Sequence, residues 1–373
     1  MARRDRRAGL RWLPRTSALL AAVFALVAGP MLATPASACA CGALFTTDGA
    51  TVDHETAALK YDGTNEDLVV SMDLLGSTPD AGWLMPVPAQ ASVSVSDIAL
   101  LDELAERTRA DVQRVTNWWP NFDFIDMLGI GKDDDTAGAE QPTVSVLDQR
   151  ELGPYTVAQI SAKDTTALTA WLTSNGYTLP ANLAGAMTPY ADANWVFVAV
   201  KLTAPDPAQP YTGRLQPLRL TFPTSEPVYP MRLSQVATGP QSVTLYVIAA
   251  DRMDVEFSPV QGAAPNLIYA GVVDPSNISA ISRVGQWVTQ RSFLVRYDQT
   301  ITDPSQITSD YTFTRAASDD EFRAVVYTER DLGWLTGGLL SVLGLVLLAV
   351  IPSRIVYRRR VRSERAAEMA EQY

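Results

Sequence analysis

Short runs of alternating apolar and polar residues dominate the chain between residues 55 and 328. This period of two is typical of antiparallel strands that bury one face. Two of the runs, Glu55–Tyr61 and Asp67–Leu75, flank the turn residues Asp62–Asn65 and predict a β-hairpin. Eight further strands are predicted at Thr143–Asp148, Tyr155–Ser161, Trp195–Leu202, Leu215–Phe222, Val243–Ala249, Arg291–Tyr297, Tyr311–Ala316 and Phe322–Thr328.

Three segments carry apolar residues at helical spacing instead. Ser96–Val115 begins at a capping serine, Asp164–Asn175 begins at a capping aspartate, and Leu183–Tyr190 is shorter. The polar, acidic stretch Gly129–Pro142 is the segment most typical of a boundary, and it would be the break if the domain has two lobes. Together these patterns predict an α+β fold that is mainly antiparallel, with a few helices.

The N-terminal 38 residues predict a secretory signal peptide. Six arginines precede the apolar stretch Ser17–Ala28, and Ala36–Ala38 supplies the small residues of a cleavage site. An uncleaved anchor and a lipid attached to Cys39 are the alternatives. We expect ordinary export with cleavage after Ala38.

The C-terminal end predicts a membrane span. Residues 332–351 contain no charge, and 20 helical residues extend about 30 Å, the thickness of a hydrocarbon core. Trp334 lies at the outer edge, and residues 352–373 contain six arginines, which favour the cytoplasmic side. The sequence therefore predicts a single-pass type I protein of the cell membrane: residues 39–331 outside, the helix in the lipid bilayer, and a basic cytoplasmic tail.

Charge narrows the range of partners. The chain has a net charge of -11, but 12 of its 30 basic residues lie in the two ends, so residues 39–351 hold 18 basic and 37 acidic residues. A domain this acidic repels phosphate backbones, which excludes nucleic acid as a leading partner. One histidine and two cysteines exclude zinc fingers with four Cys or His ligands and most histidine-based catalysis.

Several ordered motifs resemble those of a known family. They are ACACG (38–42), GWLMPVP (82–88), GPYTV (153–157), WL (171–172), NGY (175–177), QPL (216–218) and YPMRL (229–233). Together they resemble the bacterial family called domain of unknown function 2330, in its membrane-anchored form. The resemblance covers nearly the whole extracytoplasmic part. It implies an exported or membrane-anchored protein with no assigned activity, and it carries over no catalytic residue.

The two cysteines are the first candidates for chemistry. Outside the cytoplasm, Cys39 and Cys41 favour a disulfide, and the single intervening residue would make it strained and reducible. A local structural disulfide and a redox pair are therefore both open. His54, between Asp53 and Glu55, is a weak candidate to complete a metal site with the cysteines, and a solvated turn histidine is the simpler interpretation.

Two further clusters suggest binding. Asp133, Asp134 and Asp135 resemble the start of a calcium loop, but the EF-hand ligand positions that follow are apolar, so Ca²⁺ stays a weak candidate and no other cofactor is predicted. An aromatic cluster after the first predicted helix has the rings and polar neighbours of a sugar-binding surface, although packing against the sheet is the simpler role. Its rings belong to Trp118, Trp119, Phe122 and Phe124.

The sequence contains none of the common enzyme motifs, such as a nucleophile elbow, a P-loop or a zinc-protease helix. We therefore expect a non-enzymatic binding or interaction module of the cell envelope, whose partner is an envelope polymer, a small ligand or another membrane protein. The alternative is an envelope enzyme, either a carboxylate-based hydrolase or a Cys39/Cys41 redox protein. Enzymatic activity stays open.

Overall fold

The computed structural model describes residues 37–39, 42–46, 48–119, 150–152, 155–161, 165–174, 182–206 and 208–370. The strands are β1 (Ser37–Cys39), β2 (Gly42–Thr46), β3 (Thr51–Tyr61), β4 (Asn65–Thr78), β5 (Asp80–Val87), β6 (Ser92–Val95), β7 (Asp111–Asn117), β8 (Arg150–Leu152), β9 (Tyr155–Ser161), β10 (Val196–Thr203), β11 (Tyr211–Arg214), β12 (Leu218–Pro223), β13 (Val228–Tyr229), β14 (Gln241–Ala249), β15 (Met253–Phe257), β16 (Asn266–Val273), β17 (Ser292–Ile301), β18 (Tyr311–Arg315), β19 (Phe322–Arg323) and β20 (Val325–Asp331). The helices are α1 (Ile98–Arg107), α2 (Thr165–Ser174), α3 (Leu183–Asp192), α4 (Arg283–Trp287) and α5 (Gly333–Ala370).

Most strands belong to two large sheets. A six-stranded sheet has the order β1-β2-β5-β10-β9-β8, and a nine-stranded sheet has the order β19-β16-β17-β14-β3-β4-β12-β6, with β11 also paired to β4. A small sheet, β13-β18-β15, and the two-stranded ribbon β20-β7 complete the set among the described residues. Within these residues, β14 with β3 and β20 with β7 are the parallel pairs. The predicted α+β, mainly antiparallel fold is confirmed.

The two large sheets face each other, and helices cover their outer faces. Neighbouring residues of β5 show this arrangement, because Trp83 belongs to the core between the sheets and Leu84 to the core under α2 and α3. A third core lies under α1 and α4, where Leu101 and Trp287 pack on the nine-stranded sheet. The central strands are therefore buried on both faces rather than on one.

One glycine of the ACACG motif permits close strand packing. A Cβ on Gly42 would lie inside van der Waals contact with the backbone carbonyl of Leu84, on the neighbouring strand β5. No side chain can move to relieve a clash with a backbone carbonyl. Only glycine lets β2 pair with β5 at this separation.

The predicted helix Ser96–Val115 is wrong in its second half. Helix α1 ends at Arg107, where the hydroxyl of Thr108 donates to the carbonyl of Leu104 at 2.7 Å. Residues 111–117 instead form β7, whose Asp111 amide donates to the carbonyl of Ala324 at 2.8 Å. Pairing with a strand more than two hundred residues away thus overrides a local helical pattern.

The ribbon β7–β20 connects the body to α5. Both strands are exposed over all seven residues, and each strand runs from the body towards α5. Among the described residues, α5 is the helix that is long and apolar enough to cross a membrane. The predicted signal peptide falls almost entirely on residues that the structure does not describe, so its cleavage stays a prediction.

Candidate functional site

A cleft lies where the parallel strands β3 and β14 end. Its volume is about 470 Å³, within the range of ligand sites. Ligands of open sheets often bind beyond the carboxyl ends of parallel strands, where successive loops diverge. We call it the Lys60 cleft; its lining includes Lys60, Tyr61, Asp62, Ala250, Asp251, Val288, Thr289, Gln290 and Ser292.

A charged network holds one wall of the Lys60 cleft. Lys60 lies opposite Asp67 in the β3–β4 register, with its Nζ 3.7 Å from Oδ2 of Asp67. The same Nζ donates to the carbonyl of Trp287 at 2.9 Å, and the Trp287 indole N–H donates to Asp67 at 2.8 Å. Arg219 on β12 completes the network through a bidentate ion pair with Asp67. The ammonium of Lys60 is therefore turned towards the protein.

The two carboxylates of the cleft are also engaged. Asp62 accepts hydrogen bonds from the amides of Asn65, at 2.7 Å, and Thr64, at 2.9 Å, which lower its pKa to about 2. Asp251 accepts from Arg315 at 3.2 Å. Both carboxylates line the cleft and present acceptor oxygens to it.

The opposite wall depends on the short helix α4. Glu103 of α1 accepts hydrogen bonds from the Ser282 hydroxyl at 2.5 Å and from the amides of Arg283 and Val284 at 2.9 and 3.1 Å. An ion pair between Asp97 and Arg283, at 2.7 Å, adds a second tie between α1 and the start of α4. The loop that follows α4 supplies Thr289 and Gln290 to the cleft.

Two glutamates lie inside the core instead of in the cleft. Glu66 is fully buried, its Oε2 accepts from the Val228 amide at 2.9 Å, and burial raises its pKa well above the ordinary value. Glu55 is equally buried and accepts from the hydroxyl of Tyr229. Carboxyl groups that are sealed in a core do not contact substrate, so these two residues do not support the hydrolase alternative.

The structure describes only part of the predicted cysteine and histidine site. Cys39 lies in β1, in register with Gly42, whereas Cys41 lies outside the described residues. His54 lies in β3 opposite Asp73, and burial lowers its pKa against the opposing influence of Asp73 and Asp298. In the part of the chain that the structure describes, no three His, Cys, Asp or Glu residues are grouped to hold a metal ion. The disulfide and redox interpretations stay predictions.

The predicted aromatic surface is likewise described in part. Trp118 and Trp119 follow β7 and are 57% and 80% exposed, so neither ring is packed against the sheet. Phe122 and Phe124 lie outside the described residues, as do Asp133, Asp134 and Asp135 of the weak calcium candidate. Sugar binding by this surface and calcium binding both stay predictions.

The family-like motifs occupy packing positions. In GPYTV, the hydroxyl of Tyr155 donates to the carbonyl of Gln216, in QPL, at 2.5 Å. In YPMRL, the amides of Met231 and Arg232 donate to the buried carboxylate of Asp310 at 2.7 and 3.0 Å. These motifs join the layers of the body to one another and do not line the Lys60 cleft.

Comparison with known proteins places the chain in a family. The profile described as "Uncharacterized protein conserved in bacteria (DUF2330)" matches residues 35–314, three quarters of the chain. The protein belongs to this family, as its motifs predicted. A search of curated proteins found no match.

Solved structures give only distant similarities. The crystal structure of baculovirus P35 aligns at a TM-score of 0.31 and 12% identity, covering 74% of this chain and 97% of that one. The caspase-8/P35 complex aligns at a TM-score of 0.28 and 9% identity, covering 71% of this chain and 94% of the other. We take no functional inference from similarities this low.

Sequence reasoning missed the Lys60 cleft, although a signal for its network was present. The turn Asp62–Asn65 fixes the hairpin register and so places Lys60 opposite Asp67. A lysine and an aspartate facing each other inside two apolar strands indicate a buried pair. Arg219 and Trp287 could not be added in this way, because they come from distant parts of the chain.

Proposed function

We propose that this protein is a membrane-anchored binding protein of the bacterial cell surface. The main support for this proposal is the connection between the body and α5. The exposed ribbon β7–β20 leads from the body directly to the apolar helix α5. Seven residues of strand extend about 23 Å, so the ribbon would display the body above the outer surface of the bilayer. A body displayed in this way meets envelope polymers and soluble ligands.

We further propose that the Lys60 cleft binds an uncharged, polyhydroxylated ligand, such as a segment of envelope polysaccharide. Its rim offers the carboxylates of Asp62 and Asp251, the amide of Gln290 and the hydroxyl of Thr289. The ammonium of Lys60 is already occupied by Trp287 and Asp67. The two carboxylates repel anionic ligands, and the Lys60 ammonium is already paired within the protein. The same carboxylate oxygens can accept hydrogen bonds from the hydroxyl groups of a sugar.

The charges of the cleft favour binding over hydrolysis. Glycoside hydrolysis needs one carboxylic acid with a raised pKa that can donate a proton. In the cleft, hydrogen bonds lower the pKa of Asp62 instead, and Asp251 is paired with Arg315. Among the described residues, the carboxyl group of Glu66 has a strongly raised pKa, but it is enclosed in the core.

Isothermal titration of the full chain in lipid nanodiscs tests this proposal. The probe is a set of soluble oligomers of N-acetylglucosamine, which are uncharged and carry the hydroxyl groups of an envelope polysaccharide. Gln290→Ala should weaken binding about five- to tenfold, because one hydrogen bond contributes about 1 kcal/mol. Gln261→Ala is the matched control, since Gln261 is an exposed loop glutamine that lines a different cleft. Equal weakening by both variants, or no binding by the wild type, would contradict the polysaccharide assignment.

A further inference from the structure

The ribbon brings two tryptophans of the body to the level at which α5 begins. Because β7 and β20 are parallel and in register, Asn117 pairs with Asp331, the last residue of β20. The residues that follow these two, Trp118 and Leu332, therefore leave the ribbon at the same height. Leu332 is also the first residue of the uncharged stretch that forms the span.

Direct contacts confirm this placement. The amide of Leu332 donates to the carbonyl of Asn117 at 2.9 Å. In the first turn of α5, the hydroxyl of Thr336 donates to the carbonyl of Trp118 at 2.7 Å. The backbone of Trp118 is thus hydrogen-bonded to the helix that is long enough to cross a membrane.

The side chains at this level have the composition of a membrane interface. Trp118 is 57% exposed, Trp119 is 80% exposed, and Trp334 in the first turn of α5 is 65% exposed. The side chain of Asn117 accepts from the Trp119 amide at 2.9 Å, a local turn that fixes the direction of the chain after β7. Tryptophan concentrates at the headgroup level of membranes because its ring is apolar and its N–H can bind water or headgroups.

From this geometry we propose that Trp118 and Trp119 insert into the headgroup region of the bilayer that α5 crosses and form a second membrane contact beside Trp334. This inference rests on the proposed function, because it requires α5 to span the membrane. This second membrane contact would stabilise the ribbon. An isolated two-stranded ribbon is marginally stable in water, and only β20 is joined covalently to the span. The two tryptophans hold the end of β7 at the same surface.

Quenching of tryptophan fluorescence by brominated lipid tests the inference. The full chain is reconstituted in phosphatidylcholine vesicles whose acyl chains carry bromine close to the headgroup. In the double variant Trp118→Phe/Trp119→Phe, the lipid-quenched signal should fall by about two thirds, since two of three interfacial rings are lost. Trp334→Phe should remove about one third. Trp195→Phe, which changes a half-buried ring in the body, should leave the quenched signal intact.

The variants separate the inference from the function on which it rests. If the double variant keeps the full quenched signal while Trp334→Phe reduces it, α5 is in the bilayer and the second contact is refuted. If bromine quenches no fluorescence in the wild type, α5 is not inserted, and the membrane anchor and the inference fail together. A second measurement excludes misfolding as the cause of a lost signal: the near-ultraviolet circular dichroism of the body should be nearly unchanged in the double variant.

Discussion

Glu66 lies at the start of β4, where the covering strands seal it from water. One carboxyl oxygen accepts from the Val228 amide, and the other has no hydrogen-bond partner among the described residues. A carboxylate in this position would lose its hydration without gaining a counter-charge. Burial therefore raises the pKa of Glu66, and the folded protein keeps the proton over a range of pH in which the unfolded chain releases it.

This difference predicts a pH-dependent loss of stability. Between the ordinary pKa near 4.5 and the raised folded value, the native state binds more protons than the unfolded state. Glu66 therefore lowers the free energy of unfolding as pH rises through this window, by about 1.4 kcal/mol per pH unit, and contributes no such slope below it. Glu66→Gln removes the slope, so its stability relative to the wild type should increase with pH above about 4.5.

Denaturant unfolding at a series of pH values measures this difference. Glu226→Gln serves as the control, because it makes the same chemical change at an exposed glutamate. The other titrating groups, His54 among them, are common to all three proteins and cancel in the comparison. A constant difference between Glu66→Gln and wild type from pH 5 to pH 8 would contradict a proton held by Glu66.

At the residue scale, the sequence contains a signal for short-range relationships, although the prediction did not use it, and none for long-range ones. The pair Lys60–Asp67 follows from one turn and the period of a strand. The burial of Glu66 does not, because in the sequence Glu66 lies between the turn Asp62–Asn65 and the predicted strand Asp67–Leu75, where a polar residue is expected to be exposed. The residues that cover it, such as Val228 and Phe222, belong to strands about 160 residues further along the chain.

At the element scale, α4 is too short to form on its own, so its position depends on α1. A five-residue helix leaves most of its N-terminal amides without helical partners. The carboxylate of Glu103 accepts from two of these amides and from the capping hydroxyl of Ser282. Thr289 and Gln290, which follow α4 and line the Lys60 cleft, therefore depend for their position on Glu103 of α1.

Glu103→Ala should loosen α4 without unfolding the body. Loss of a charge-assisted cap is expected to cost about 1–2 kcal/mol and to free the segment 282–292. Hydrogen exchange followed by mass spectrometry should show faster exchange in that segment, together with weaker binding of the glycan probe. Glu106→Ala is the matched control, because Glu106 lies on the same helix and forms its ion pair with the exposed Arg109. Equal exchange in both variants would refute the capping role.

Helices and strands were predicted correctly where the spacing of apolar residues within the segment determines the structure. The hairpin β3–β4, the helices α2 and α3, and the strands β14, β17 and β18 agree with their predictions within a few residues. The second half of Ser96–Val115 does not, because its apolar residues Val112 and Val115 lie in β7 beside β20. The apolar residues of that segment have helical spacing, but pairing with β20 makes the segment a strand.

At the scale of the whole molecule, the ribbon and α5 lie between an acidic body and a basic C-terminal segment. Residues 39–351 are strongly acidic, whereas residues 352–373 contain six arginines. Anionic lipids would repel an acidic body that lay on the membrane. A ribbon of about 23 Å exceeds two Debye lengths at physiological salt, each about 8 Å, so this repulsion is largely screened. With α5 in a bilayer as proposed, the same separation would keep the Lys60 cleft away from the lipid surface.

The arginine tail should fix the orientation of α5. Positively charged residues next to a span are retained on the cytoplasmic side, whereas acidic residues have little influence on topology. Replacing the six arginines of residues 352–373 with glutamate should therefore allow part of the chains to export the tail. Alkaline phosphatase fused to the C-terminus, which is active only after export, should be inactive on the wild type and several-fold more active on the glutamate variant.

A variant with lysine at the same six positions provides the matched control for this reporter. Lysine keeps the charge and changes the hydrogen-bonding geometry, so orientation should be retained if charge alone sets it. Phosphatase activity on the lysine variant would show instead that the guanidinium groups bind a specific partner in the cytoplasm. Activity on the wild type would place the tail outside and reverse the proposed topology, and the body with its Lys60 cleft would then face the cytoplasm, where it has no access to envelope polysaccharide.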